Sequence, residues 1–166
     1  MSIVVDIVFL QTVSLGVASA SIVIGVIYYI FQIRHQRNVR NTDLVIRLYT
    51  QVTSDEWEKA YFKILSAPFE DYDDYCRKYG GSISENPVSL AADKVSAFYE
   101  ELGYLLYRKL IDADMVFEMF SIARPWNKIK PIIYGSRKQD DQPTLYEWFE
   151  YLYNEMQKRG LDQSKT

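Results

Sequence analysis

The sequence predicts an all-α protein, in which a single N-terminal transmembrane helix is followed by a small cytoplasmic helical-bundle domain. Three observations support this fold class. No charged residue interrupts the apolar run from Ile7 to Ile33, and a helix of about 20 residues spans the hydrocarbon core of a bilayer. In the rest of the chain, apolar residues recur every three or four positions, as on one face of a helix. The sequence shows no strand alternation, internal repeat or low-complexity segment.

The composition excludes several classes of protein. A formal net charge of −3 disfavours nucleic-acid binding. Cys76 is the single cysteine, so an intramolecular disulfide and a multi-cysteine zinc site are excluded. The single histidine, His35, lies next to the apolar run, far from any partner that a general base would need. The sequence therefore predicts no metal, no cofactor and no catalytic residue.

The apolar run has the features of a retained membrane anchor. It has no preceding Lys or Arg, Asp6 before it is acidic, and it is longer than the apolar part of a signal peptide. A buried core helix is disfavoured because the run is apolar on every side. The predicted division is an anchor at 1–33, a juxtamembrane segment at 34–53, a helical domain at 54–158 and a flexible tail at 159–166.

The charges that flank the apolar run predict its orientation. Arg34, Arg37 and Arg40 follow the run, and basic residues stay on the cytoplasmic side of a membrane. We therefore expect a plasma-membrane protein whose amino terminus is outside and whose helical domain is cytoplasmic. These three arginines are the predicted interface residues.

One face of the apolar run carries small and polar residues at spacings of three and four. In lipid, small residues let helices approach closely, and polar side chains bond across the contact. This face, which we name the association seam, predicts a homo-oligomer or a complex with a partner membrane protein. Two alternatives stay open. In the first, the small residues have no role in association, because such residues are common in membrane helices. In the second, the face lines a pore. Gly16 and Ala20 on the opposite side weaken the claim to one interface. The association seam consists of Gln11, Ser14, Ala18, Ser21, Gly25, Tyr28 and Gln32.

The juxtamembrane segment and the first helix of the domain follow. Either the membrane helix continues to Val52, or a new helix begins at Asn41 or Thr42. The segment from Thr53 to Glu56 is typical of a capping box that opens a helix, and Pro68 closes it. The inward face of this helix is predicted to be Trp57, Ala60, Tyr61, Ile64 and Leu65.

An irregular acidic segment precedes the central helix. Its carboxylates lack the spacing of a calcium loop, which favours a solvated acidic surface, and a short helix through Tyr79 would end at Gly80. Asn86 and Pro87 form a strong helix start. The helix that they open has the most regular apolar stripe, from Val88 to Leu110, and is predicted to be the centre of the core. The acidic residues are Glu70, Asp71, Asp73 and Asp74.

Prolines and polar residues divide the C-terminal part. Asp112 or Asp114 is expected to begin one helix and Pro125 a short second one, which Pro131 bends or ends. A polar loop is predicted at 136–143. Thr144 is then expected to cap the last helix, which Gly160 stops.

The order of these features resembles a family of bacterial and archaeal proteins of unknown function, which have an N-terminal membrane helix and a compact helical domain. The resemblance is carried by the basic exit 34–40, the helix start 53–57, the helix 98–112 and the segment 126–149. It implies this architecture for nearly the whole chain and implies no activity.

A second candidate site is the basic patch, which we define as Arg124, Lys128, Lys130, Arg137 and Lys138. Interleaved with aromatic and apolar residues, it is a candidate surface for anionic lipid or an anionic ligand. The favoured alternative pairs Arg124 and Arg137 with Asp140, Asp141 or the 70–74 cluster, and places Trp126 in the core.

Two functions are therefore predicted. The first is a membrane-anchored interaction or regulatory module that is not an enzyme and that acts through oligomerisation or a partner membrane protein. The alternative is a membrane-associated ligand-binding protein or enzyme whose cytoplasmic pocket is lined by Tyr and Arg, with Arg124 or Arg137 pointing inward.

Overall fold

A computed structural model describes residues 2–81 and 84–161, with the backbone alone at residues 2–8, 10, 12, 37 and 38. Within these ranges the chain forms seven helices and no strand, which confirms the all-α prediction. The chain divides by its contacts into two units, Met1–Arg40 and Asn41–Thr166. The predicted domain boundaries stay predictions, and the predicted tail from residue 162 onward lies outside the described residues. The helices are α1 (Ser2–Val52), α2 (Asp55–Ser66), α3 (Tyr72–Tyr79), α4 (Pro87–Tyr107), α5 (Ala113–Met119), α6 (Ala123–Gln139) and α7 (Glu147–Lys158).

The first unit is the larger part of α1. This helix is continuous to Val52, so no new helix begins at Asn41 or Thr42. Within the first unit the described apolar side chains of α1 are exposed on every face; Leu15, for example, is 71 % exposed and Ile22 69 %. Within the described ranges α1 is the one helix that is long and apolar enough to cross a membrane, with a mean hydropathy of 2.0 over its most apolar window.

The second unit is organised around α4. Its buried face carries Val95 and Leu102, which are both fully inaccessible to solvent, and α4 packs against α2, α6 and α7. The predicted start is confirmed, because the Asn86 side chain accepts a hydrogen bond of 2.8 Å from the Val88 amide and Pro87 is the first helical residue. The last three turns of α1, from Asn41 onward, belong to this unit and contribute Val45 and Leu48 to the core.

The stripe of α4 is shorter than predicted, since Leu110 lies beyond the helix and is 48 % exposed. Lys109 adopts a left-handed conformation with φ 55°. The Leu110 amide donates to the Leu105 carbonyl at 3.0 Å. This is the geometry that terminates many helices. The chain then begins α5 with Asp112, whose carboxylate accepts hydrogen bonds from the Asp114 and Met115 amides.

The first cap of the domain is displaced by one residue from its predicted place. Ser54 rather than Thr53 caps α2, and its hydroxyl oxygen accepts a hydrogen bond from the Trp57 amide at 3.3 Å. The Thr53 hydroxyl donates instead to the Thr50 carbonyl at the end of α1, at 3.0 Å. The predicted inward face is confirmed for Trp57 and Ile64, which are buried, and for Ala60 and Tyr61, which are partly buried against the core.

The acidic segment forms α3 as predicted, capped by Asp71 and closed by Gly80 in the left-handed conformation with φ 88°. The solvated acidic surface is wrong for Asp74, which is only 8 % exposed. Its carboxylate accepts a hydrogen bond of 2.8 Å from Lys78 and also pairs with Arg77. The Lys78 hydrogen bond outweighs burial and holds the pKa of Asp74 below its ordinary value.

The C-terminal boundaries differ most from the prediction. Pro131 does not end α6, which continues to Gln139. The predicted loop at 136–143 is therefore helical in its first half, and the chain leaves the helix only from Asp140 onward. Ile129 and Ile133, which lie on both sides of the proline, are fully buried. Their packing holds the helix in place, although Pro131 supplies no amide to the carbonyl of the exposed Asn127.

The close packing of α4 against α7 generates a prediction. A Cβ atom on Gly103 would lie 2.0 Å from the Trp148 carbonyl oxygen, and this backbone atom cannot rotate away. We expect Gly103→Ala to lower the free energy of unfolding of the domain by about 3 kcal/mol. All three tryptophans lie in the second unit, so tryptophan fluorescence during urea unfolding reports this loss without a signal from most of α1.

Ala97→Leu is the matched control, since it enlarges a side chain on the exposed surface of the same helix. It is expected to leave the urea midpoint nearly unchanged. Equal midpoints for Gly103→Ala and the unaltered protein would show that α4 and α7 do not approach this closely.

Candidate functional site

All seven residues of the association seam are exposed along α1. The Ser21 hydroxyl donates to the Val17 carbonyl at 2.8 Å within the same helix, so it needs no partner in lipid. A Cβ atom on Gly25 would meet nothing within 4 Å, which leaves room for another helix to approach. The structure thus places these residues on an open surface, and their role in association stays a prediction.

The predicted interface arginines follow directly on the same helix. Arg34 and Arg40 are exposed, whereas the side chain of Arg37 lies outside the described part. Their contact with a membrane surface also stays a prediction.

The basic patch does not form one surface, although all five of its residues lie on α6. The Lys128 ammonium group donates to the Ala67 carbonyl at 2.6 Å and lies 3.9 Å from the centre of the Phe69 ring, and burial lowers the pKa of Lys128. Arg137 is held in the protein, with 15 % of its side chain exposed. The three exposed members are Arg124, Lys130 and Lys138.

Arg137 joins α6 to the start of α7. Its Nε donates to the Leu145 carbonyl at 2.8 Å, and its Nη1 donates to the Glu150 carboxylate at 2.6 Å. The prediction that Arg137 pairs with Asp140, Asp141 or the 70–74 cluster is therefore wrong, while Trp126 does pack in the core as predicted. Burial alone would raise the pKa of Glu150, but hydrogen bonds from Tyr134 and Arg137 outweigh it and lower this pKa.

The N-terminus of α7 is capped from another helix. Thr144 does not cap it, contrary to the prediction; Tyr146 occupies the cap position with φ 53° and forms no capping bond. Instead, Glu100 of α4 accepts a hydrogen bond of 2.8 Å from the Phe149 amide. A carboxylate at a helix N-terminus also matches the positive end of the helix dipole.

A cavity of about 350 Å³ opens between α3, α4, α6 and the loop that leads to α7. This volume is within the range of small-molecule pockets in proteins, roughly 300–1,000 Å³. Neither Arg124 nor Arg137 lines it, so its polar groups differ from those predicted. Its walls are formed by Tyr75, Ala92, Asp93, Ser96, Ile132, Ile133, Ser136, Asp140, Gln142, Leu145 and Tyr146.

The polar groups of this cavity centre on Asp93. The Tyr146 hydroxyl donates to the Asp93 carboxylate over 3.4 Å, a long hydrogen bond. Burial raises the pKa of Asp93, and burial followed by the proximity of Asp93 raises the pKa of Tyr146. Ser96 is 2 % exposed and lines the cavity. The wall can therefore accept and donate hydrogen bonds to a small ligand, and it carries negative charge.

Sequence reasoning missed these cavity residues. One signal was present, because Ser89 and Ser96 interrupt the apolar face of α4 at a spacing of one heptad, and both are buried. Small polar residues on an otherwise apolar helical face indicate a polar partner or a cavity. No comparable signal marked Tyr146, whose left-handed backbone depends on tertiary contacts.

The pair of Arg137 and Glu150 generates a second prediction. A double-mutant cycle with Arg137→Met and Glu150→Gln is expected to give a coupling energy of about 1–2 kcal/mol at neutral pH, because both groups are largely buried. The pKa of Glu150 is lowered in the folded state. Its stabilising effect is therefore complete above the ordinary value of 4.5 and disappears as the pH falls through the lower, folded value.

The exposed pair of Arg47 and Asp43 is the control, with side chains that are 76 % and 59 % exposed. Its coupling is expected to be close to zero at every pH. A coupling at Arg137 and Glu150 that equals this control, measured by urea unfolding and tryptophan fluorescence, would contradict the structural role of the pair.

Comparison with known proteins gives one match. No curated protein and no solved structure matches the chain. The model of one family, described as a domain of unknown function, matches residues 19–156, which reach from α1 to α7. This match confirms the resemblance to an uncharacterised family that the sequence indicated. Because most of its length is matched, the chain belongs to the DUF4760 family, a family defined by a domain of unknown function.

Proposed function

We propose that this protein is a single-pass, membrane-anchored interaction or regulatory module, and that it acts through association of its membrane helix. The single observation that carries the proposal is the surface of α1. From Ile7 to Ile33 the helix has no charge, and its described apolar side chains are exposed on all faces. A lipid bilayer is the environment that covers such a helix without a protein partner.

The flanking charges support an orientation within the plasma membrane. Arg34 and Arg40 are exposed at the end of the apolar run, where the cytoplasmic excess of basic residues is expected. The proposal therefore places the amino terminus outside and the second unit in the cytoplasm.

The association seam supports a contact between helices. Ser14, Ala18 and Gly25 lie on one side of α1, and small side chains there allow two helix backbones to approach closely. The Ser21 hydroxyl is already bonded within its own helix, so attraction would come mainly from close packing. The partner is a second copy of the chain or another membrane protein.

A second function, the binding of a small ligand, is favoured by the cavity beside Asp93. It replaces the predicted Tyr and Arg lining with Tyr, Ser and Asp side chains. We propose binding rather than catalysis there, and the expectation that the protein is not an enzyme stays a prediction.

Disulfide crosslinking in native membranes tests the association. Cys76 is first replaced by Ser, and single cysteines are then introduced as Ser21→Cys in the seam or Val23→Cys on the opposite face. With mild oxidation, Ser21→Cys is expected to give a crosslinked dimer on a non-reducing gel, and Val23→Cys is expected to remain monomeric.

Two results would contradict the association. Equal crosslinking from both positions would show that no defined seam exists. Monomer alone from both positions, with no partner that co-purifies in mild detergent, would remove the proposed mode of action.

A further inference from the structure

We propose that the cavity beside Asp93 binds a small organic cation, an amine whose ammonium group pairs with the Asp93 carboxylate and whose apolar part packs against Ile132 and Ile133. This inference rests on the second proposed function and names its ligand class. It follows from the charge, the polar groups and the shape of the cavity.

The charge of the lining is negative. Asp93 and Asp140 are among the described residues that line the cavity, and no Lys or Arg is among them. Asp140 lies at the C-terminal end of α6, where helix carbonyls add partial negative charge. A cation is therefore attracted to this site, and an anion is repelled.

The carboxylate of Asp93 lacks a positive partner in the described part of the chain. Its bond to the Tyr146 hydroxyl is long, at 3.4 Å, and burial raises the pKa of Asp93 because the charged form is poorly compensated. Part of Asp93 stays exposed at the rim of the cavity. An ammonium group can reach it there and form the charge-assisted hydrogen bond that the protein does not supply.

Ser96 adds a polar group to the wall of the cavity. This residue is 2 % exposed and borders the cavity. Its hydroxyl group can accept a hydrogen bond from the ammonium group of a ligand.

The remaining walls favour an apolar body. Tyr75, Ile132 and Ile133 are each at most 6 % exposed and present ring and alkyl surface to the cavity. A volume of about 350 Å³ accommodates an aryl-alkyl or branched amine and is too large for a bare metal ion alone.

Three probes of similar shape test the charge preference: phenethylamine, phenethyl alcohol and 3-phenylpropionate, titrated into the full-length protein in detergent micelles by calorimetry. Phenethylamine is expected to bind, and the alcohol and the acid are expected to bind more weakly by about tenfold or more. Asp93→Asn is expected to remove this advantage, because it keeps the side-chain shape and loses the charge.

Glu101→Gln is the matched control, since it removes an exposed carboxylate from the same helix and should leave phenethylamine binding unchanged. If Asp93→Asn does not fold, Tyr146→Phe serves instead. This substitution removes the hydroxyl group that competes for Asp93 and is expected to keep or strengthen amine binding. Loss of phenethylamine binding in Tyr146→Phe would overturn the proposal.

The outcomes separate the two levels of the inference. Binding of the alcohol or the acid as strongly as the amine would leave a ligand cavity but overturn the cation assignment. Binding of none of the three probes would overturn both the cation assignment and the proposed ligand-binding function.

Discussion

The apolar surface of α1 is the constraint on which the rest of the protein depends. Burial of one Leu or Ile side chain contributes about 1.5–3 kcal/mol, and the apolar run presents many such side chains that the chain itself leaves exposed, among them Ile22 and Ile24. The free-energy cost of exposing all of them to water would exceed the stability of a typical domain, which is about 5–15 kcal/mol. A bilayer removes this cost, and the sequence places charges only at the two ends of the run.

The second unit has its own core. One face of α4 is buried along its length, and three other helices pack on the helix, so the unit does not need the apolar run for its hydrophobic interior. Gly103 allows α7 to lie directly on α4, and Glu100 and Arg137 fix the start of α7 through its amides and loop. The cavity is a consequence of the same arrangement, because the loop to α7 crosses it and positions Tyr146 opposite Asp93.

Local signals in the sequence were sufficient for the fold class and for the starts of α4 and α5. Asn86 with Pro87, Asp112 as a cap and Gly80 as a stop act within a few residues of backbone, so their effect is readable without tertiary structure. Pro131 and Thr144 were misleading for the opposite reason. Isoleucine packing overrides the proline, and a carboxylate from α4 replaces the local cap of α7. The partners of Asp74 were within reach of the sequence, since Arg77 and Lys78 lie three and four residues later.

The candidate sites also differ in whether the sequence alone could predict them. The association seam is a property of one helix and is visible as periodicity, whereas the cavity is assembled from α3, α4, α6 and a loop whose contacts no short-range pattern encodes. Only the buried serines of α4, Ser89 and Ser96, indicated the cavity. The basic patch shows the limit of counting charges, because Lys128 and Arg137 turn to protein acceptors and only part of the patch remains on the surface.

Cysteine accessibility in whole cells tests the central claim most directly. In a Cys76→Ser background, single cysteines are placed as Ser2→Cys, Ile22→Cys and Thr144→Cys and treated with a membrane-impermeant maleimide. An embedded α1 with a cytoplasmic second unit predicts that Ser2→Cys reacts in intact cells, that Thr144→Cys reacts only after permeabilisation, and that Ile22→Cys does not react until the membrane is dissolved. Rapid reaction of Ile22→Cys before the membrane is dissolved would show that the apolar run lies in water. Reaction of Thr144→Cys in intact cells would reverse the orientation.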